Sequence, residues 1–119
     1  MIAEASKWFN HPTLRSRTFT ETHARDSFEN VLFSLCRYKE IQGYYPERIT
    51  IIGFTFKQSR FLNLHCPALG YVGGRCVYHG VDPESYTRED RERVKHLEYE
   101  NAYHLFEVRH TYTHNTCIL

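Results

Sequence analysis

The chain is 119 residues long and carries 15 Lys and Arg against 14 Asp and Glu, for a formal net charge of +1. That length suits one domain, since a single core is typically built from about 100–150 residues, and it excludes two independent ones. Balanced charge excludes the whole-chain field by which basic proteins gather nucleic acid or anionic membrane, while 29 Val, Ile, Leu and Phe residues suffice for a core.

Turn-forming residues fall at Asn10–Pro12, Gly43–Pro46, Pro67–Gly74 and Val81–Ser85. Between the first two of these, Ala24, Phe28, Val31, Leu35 and Tyr38 recur at helical spacing, and Leu32 and Cys36 widen the apolar face. Thr18 and Glu21 have capping-box spacing and Gly43 is placed to end the segment, so a helix is expected near 20–42. The run Ile-Thr-Ile-Ile-Gly-Phe at 49–54 is short, β-branched and nearly continuous, as in a buried parallel strand. Residues 57–66 suit a short helix stopped by Pro67, and 75–81 read as a second strand. Thr87 with Asp90 is placed to cap a helix over 88–108 with the stripe Val94, Leu97, Leu105 and Val108. The remaining residues lack periodicity. The expected organisation is a single domain over 1–109 and a flexible His-containing tail over 110–119.

Helices alternating with strands predict an α/β layer, because each crossover between parallel strands needs such a connection. Two strands are few for a parallel sheet, which usually has more and is covered on both faces. The chain therefore reads as part of a Rossmann-like three-layer fold, with a short parallel sheet flanked by helices.

No stretch approaches the ~18 apolar residues of a membrane span, and MIAEASKWFNH does not resemble a secretory leader. A cytoplasmic protein without membrane insertion is expected. Cys36, Cys66, Cys76 and Cys117 are separated by 30, 10 and 41 residues with no C-x-x-C, and are read as free thiols. Dinucleotide, phosphate-loop, nucleophile-elbow and zincin motifs are absent.

Ligands of open α/β sheets bind beyond the carboxyl ends of the strands, beside helix N-termini that favour anions. Here that position spans Gly53 to Arg60, with the Thr55 hydroxyl and with Lys57 and Arg60 three apart. A solvated basic helix face would have the same pattern. Glu21, Asp26, Ser27, Glu29 and Asn30 cluster ahead of and within the long helix, where such residues commonly cap backbone groups. His110, His114 and Cys117 have zinc-compatible spacing but no fourth ligand nearby, so a polar tail is preferred. His65-Cys66 lacks the third group of a nucleophilic pair, and Cys66 is read as a small buried thiol.

Two segments resemble a known family. Glu21-Thr-His-Ala-Arg-Asp-Ser-Phe-Glu-Asn30 and Tyr45-Pro-Glu-Arg-Ile-Thr-Ile-Ile-Gly-Phe-Thr-Phe-Lys-Gln-Ser-Arg60 are similar to two blocks of the YdcF/SanA/ElyC-like domain of unknown function, particularly its fungal branch. The segment from Glu21 resembles the Ser/Thr-x-x-Asn block that opens a helix after an acidic residue. The segment from Tyr45 resembles the strand-loop-helix block ending in His-x-x-Arg or Lys-x-x-Arg. The resemblance implies a pocket at the strand ends to which Glu21, Ser27, Asn30, Lys57 and Arg60 contribute, and a nucleotide-like ligand such as S-adenosylmethionine. Lys57 stands where bacterial members have histidine, which favours charge binding over proton transfer. The family's first strand, Gly-rich loop and Ser-Glu-Ala helix have no counterpart here, and an incomplete copy, not catalytic alone, is expected. The alternatives are a non-enzymatic interaction or scaffold protein that self-associates through uncovered sheet or helix faces, or a truncated gene product.

Overall fold

A computed structural model describes residues 10–110. Helix α1 (Pro12–Ser16) opens with proline in its first turn, where a missing N–H costs nothing. The sequence pattern does not announce it. Helix α2 (Ser27–Gln42) begins seven residues later than expected, because Asp26, and not Thr18, is its cap: the Asp26 carboxylate accepts from Glu29 N–H at 2.8 Å. Thr18 Oγ1 instead donates to Leu14 O at 2.6 Å. The helix ends at Gly43, whose φ of 87° is left-handed and whose N–H returns to Lys39 O.

Strand β1 (Ile49–Gly53) leads into helix α3, continuous over 55–68, and strand β2 (Cys76–Gly80) pairs parallel to β1 with Ile49 opposite Cys76 and Gly53 opposite Gly80. Pro67 does not stop α3 as expected. The turn Phe61–His65 is a wide π turn, and the chain passes through Cys66-Pro67-Ala68 still helical; Pro67 lacks only the N–H that a regular ladder would have used.

Helix α4 covers 88–110 and contains a second π turn, Tyr99–Tyr103. Its Thr87 and Asp90 form the expected reciprocal cap, with Asp90 N–H to Thr87 Oγ1 at 3.1 Å. Its packed face is not the expected stripe: Leu97, Leu105 and Val108 are exposed, while Val94, Glu98, Ala102 and Phe106 are turned inward. Residues four apart drift around a regular helix, and the extra residue taken up by the π turn keeps these four on one side.

The core gathers Val31 and Leu35 of α2, Phe61 and Cys66 of α3, Tyr71, and Tyr78 of β2, with Ile49 and Ile51 against it. Side chains alternate along a strand, so Thr50 and Ile52, with Val77 and His79 opposite them, occupy the other face of the sheet and are exposed. The result is an α/β arrangement with a two-stranded parallel sheet.

Two of the cysteines expected as free thiols are bonded to each other. Cys66 at the end of α3 and Cys76 at the start of β2 are joined as a disulfide, with Cα atoms 6.3 Å apart. Glycine turns at Gly70, Gly73 and Gly74 with positive φ fold the intervening chain back on itself, a closure that residue spacing does not reveal. Cys36 is free. The expected tail at 110–119, including the His114 and Cys117 of the zinc spacing, lies outside the described residues apart from the backbone of His110.

Candidate functional site

The carboxyl end of β1 is built on glycine. A Cβ at Gly53 would stand 2.5 Å from Tyr78 Oη, and that hydroxyl donates to Phe54 O at 2.8 Å, so only glycine lets the strand end lie over the tyrosine. The chain then turns into α3, whose first N–H, from Thr55, bonds Asp82 Oδ1 at 3.2 Å. Asp82 thus supplies the negative charge that the α3 N-terminus attracts. An anion at this end of the sheet meets side chains of α3 and α2 before helix-end amides.

Those side chains line a cavity of about 970 Å³ between α2, β1 and α3. Ser27, Asn30, Lys57 and Arg60 all border it, as do Arg25 and Arg48, with Asp26 as the lone acidic residue of the lining among the described residues. Glu21, the remaining residue of the expected set, lies elsewhere: its carboxylate accepts from the backbone N–H groups of His23 and Ala24 and borders two other depressions. It serves as a local cap for the segment ahead of α2.

The two cations of α3 differ. The Lys57 ammonium lies over the stacked rings of Phe54 and Phe56, at 5.5 and 5.7 Å from their centroids, and among the described residues no carboxylate forms an ion pair with it. Arg60 is buried, with its side chain 7% exposed, and its Nε lies 3.1 Å from Glu98 Oε1 on α4. The N–H does not point along that contact, so charge holds the pair where a formed hydrogen bond does not. Burial pushes the Glu98 carboxyl above its ordinary value, and Arg60 and Lys57 oppose that shift. The Arg60 guanidinium also lies over the ring of Phe106, 5.6 Å from its centroid.

Ser27 belongs to a different contact. Its Oγ lies 2.9 Å from Nε2 of His65, which is fully buried and faces the rings of Phe28, Phe61 and Phe106 edge-on at 5.6, 5.1 and 4.7 Å. The histidine that sequence paired with Cys66 is therefore a partner of Ser27. Sequence reasoning missed both Glu98 and the Ser27–His65 contact. Glu98 stands four residues after Val94 on the same helix face, and the π turn that follows it brings Phe106 to that face as well.

Among the described residues no group of three His, Cys, Asp or Glu is placed to hold a metal ion, and no helix is long and apolar enough to cross a membrane. No protein-family model matches the chain. No solved structure matches it either. The chain is similar to the uncharacterized protein YOR238W of Saccharomyces cerevisiae, with 36% identity over 93 residues that cover 73% of this chain. It spans 31% of that relative's length.

Proposed function

We propose that the chain is a YdcF-like domain of Rossmann-like three-layer type, cytoplasmic, that binds an anionic or nucleotide-like small molecule at the carboxyl end of β1 and does not catalyse a reaction alone. The observation that carries this reading is the convergence of Ser27 and Asn30 from α2 with Lys57 and Arg60 from α3 on one cavity. The lining holds more cations than carboxylates, and Lys57 keeps a charge that no carboxylate among the described residues pairs. Asn30 and the Ser27 hydroxyl add neutral polar groups of the kind that orient a ligand.

S-Adenosylmethionine and adenosine diphosphate are the probes to titrate in calorimetry. Binding of either is expected, weakened by about tenfold or more in Lys57→Ala. No heat from either ligand would overturn the reading. Lys57 is the residue to change first, because Arg60→Ala also unpairs Glu98.

A second reading, a non-enzymatic interaction protein, is favoured by the exposed Ile52 and Val77 on the outer face of the sheet. Size-exclusion chromatography with light scattering decides it: a monomer across the micromolar range counts against self-association.

A further inference from the structure

The cavity follows β1 along its whole length, from Arg48 to Phe54. It therefore borders the strand edge that β2 leaves free. Hydrogen-bond parity decides which backbone groups face it. Ile49 N–H donates to Arg75 O at 2.9 Å and Gly53 O accepts from Val81 N–H at 2.8 Å. In a parallel ladder this turns Ile49, Ile51 and Gly53 toward β2 and turns the N–H and C=O of Thr50 and Ile52 the other way. Among the described residues nothing bonds those groups. Such an edge is a template for another strand.

Charge selects the occupant and its direction. Lys57 and Arg60 border the cavity at the carboxyl end of β1, and Arg48 stands at the amino end. A chain added parallel to β1 finishes beside Lys57 and Arg60, where a terminal carboxylate finds both cations. An antiparallel chain would bring its carboxyl end to Arg48 and leave Lys57 unmatched. Arg48 also disfavours a free ammonium at the start of a parallel peptide, so the bound segment continues upstream or is blocked there. A five-residue strand at about 3.3 Å per residue spans the ladder from Ile49 to Gly53, and Ile52, 74% exposed, offers an apolar neighbour for β-branched side chains.

We propose that β1 takes up the extended C-terminus of a partner peptide as a third, parallel strand, pairing through Thr50 and Ile52 and holding the terminal carboxylate at Lys57 and Arg60. The proposal rests on the reading that these two cations hold an anion and assigns that anion's chemical class. A nucleotide would use the cation end and leave the strand edge bare.

The test uses fluorescein-Gly-Thr-Val-Thr-Val with a free carboxylate, the same peptide amidated, and a version N-methylated at alternate residues, each followed by polarisation against the full chain. The free acid is expected to bind, with the amide weaker by about tenfold or more and the N-methylated peptide silent. Ile52→Pro removes a single N–H that faces away from β2, so the ladder is kept, as circular dichroism checks, while binding is lost. Equal binding of acid and amide, or binding untouched by both N-methylation and Ile52→Pro, would overturn the proposal. Binding of adenosine diphosphate without binding of the peptide overturns the peptide and leaves the anion reading standing. Failure of both removes both.

Discussion

Glu98 Oε1 and Arg60 Nε lie 3.1 Å apart between α4 and α3, with their side chains only 9% and 7% exposed. The two residues do not depend on each other equally. Arg60 Nε and Glu98 Oε1 are both sealed, but the Arg60 guanidinium also borders a cavity and lies over the rings of Phe61 and Phe106, whereas Glu98 Oε1 has no other partner among the described residues. Arg60→Met is therefore expected to destabilise the protein by about 3 kcal/mol, by leaving a buried carboxylate without its cation. Glu98→Gln removes the charge that burial penalises and keeps an amide oxygen able to face Arg60, whose ring contacts remain, so it is expected to cost less than Arg60→Met. Urea denaturation of both variants at neutral pH measures the asymmetry.

The same pair sets a pH dependence. The folded carboxyl of Glu98 titrates above its ordinary value, chiefly through burial, so the native state holds that proton to higher pH than the unfolded chain does. Its contribution is fully present below the unfolded value and is lost as pH rises through the raised folded one. Asp90 acts oppositely: the Thr87 hydroxyl and N–H lower its pKa, so its contribution is lost as pH falls through that lowered value. Stability profiles should lose the first slope in Glu98→Gln and the second in Asp90→Asn.

Gly53 and Tyr78 form a steric pair with a separable hydroxyl. Gly53→Ala places a methyl 2.5 Å from Tyr78 Oη but 3.4 Å from the ring carbon behind it. The substitution is expected to destabilise by about 1–3 kcal/mol. Tyr78→Phe alone costs about 1 kcal/mol for the bond to Phe54 O, and the double variant should be more stable than Gly53→Ala alone. Thermal melts of the four proteins make the cycle.

Ser27→Ala leaves Nε2 of the fully buried His65 without the hydroxyl that lies 2.9 Å away. A loss of about 1 kcal/mol is expected for the hydrogen bond removed. Ser27→Thr, which keeps the hydroxyl at the helix start, should lose less. Chemical denaturation of the two variants beside the parent protein measures both losses.

The Cys66–Cys76 bond closes a short loop, and its reduction is expected to cost about 3 kcal/mol in the chain-entropy treatment. Melting with and without a phosphine reductant reads the difference directly. Disulfides are rare in reducing compartments, so mass spectrometry of the cellular protein under thiol trapping also tests the proposed cytoplasmic setting.

The alternation of helices and strands is legible in the chain before any tertiary contact is considered. The Ile-Thr-Ile-Ile run, the apolar spacing of α2, the Gly43 stop and the Thr87–Asp90 cap are local signals, carried by residues within a few positions of one another, and local periodicity reports them. The sequence also marks Lys57 and Arg60, because they follow a strand end, where ligands of such sheets bind, whereas Ser27 and Asn30 stand out only through the family resemblance. Tertiary structure alone decided the rest. Ser27 meets His65 across 38 positions and Arg60 meets Glu98 across the same separation, and π turns shift the buried faces of α3 and α4. The α2 start at Asp26, the Cys66–Cys76 bond and the free edge at Thr50 and Ile52 likewise depend on how segments return toward one another. Periodicity records which face of an element is apolar, but a charge buried against one partner has no periodic trace. It is fixed only when the chain has closed around it.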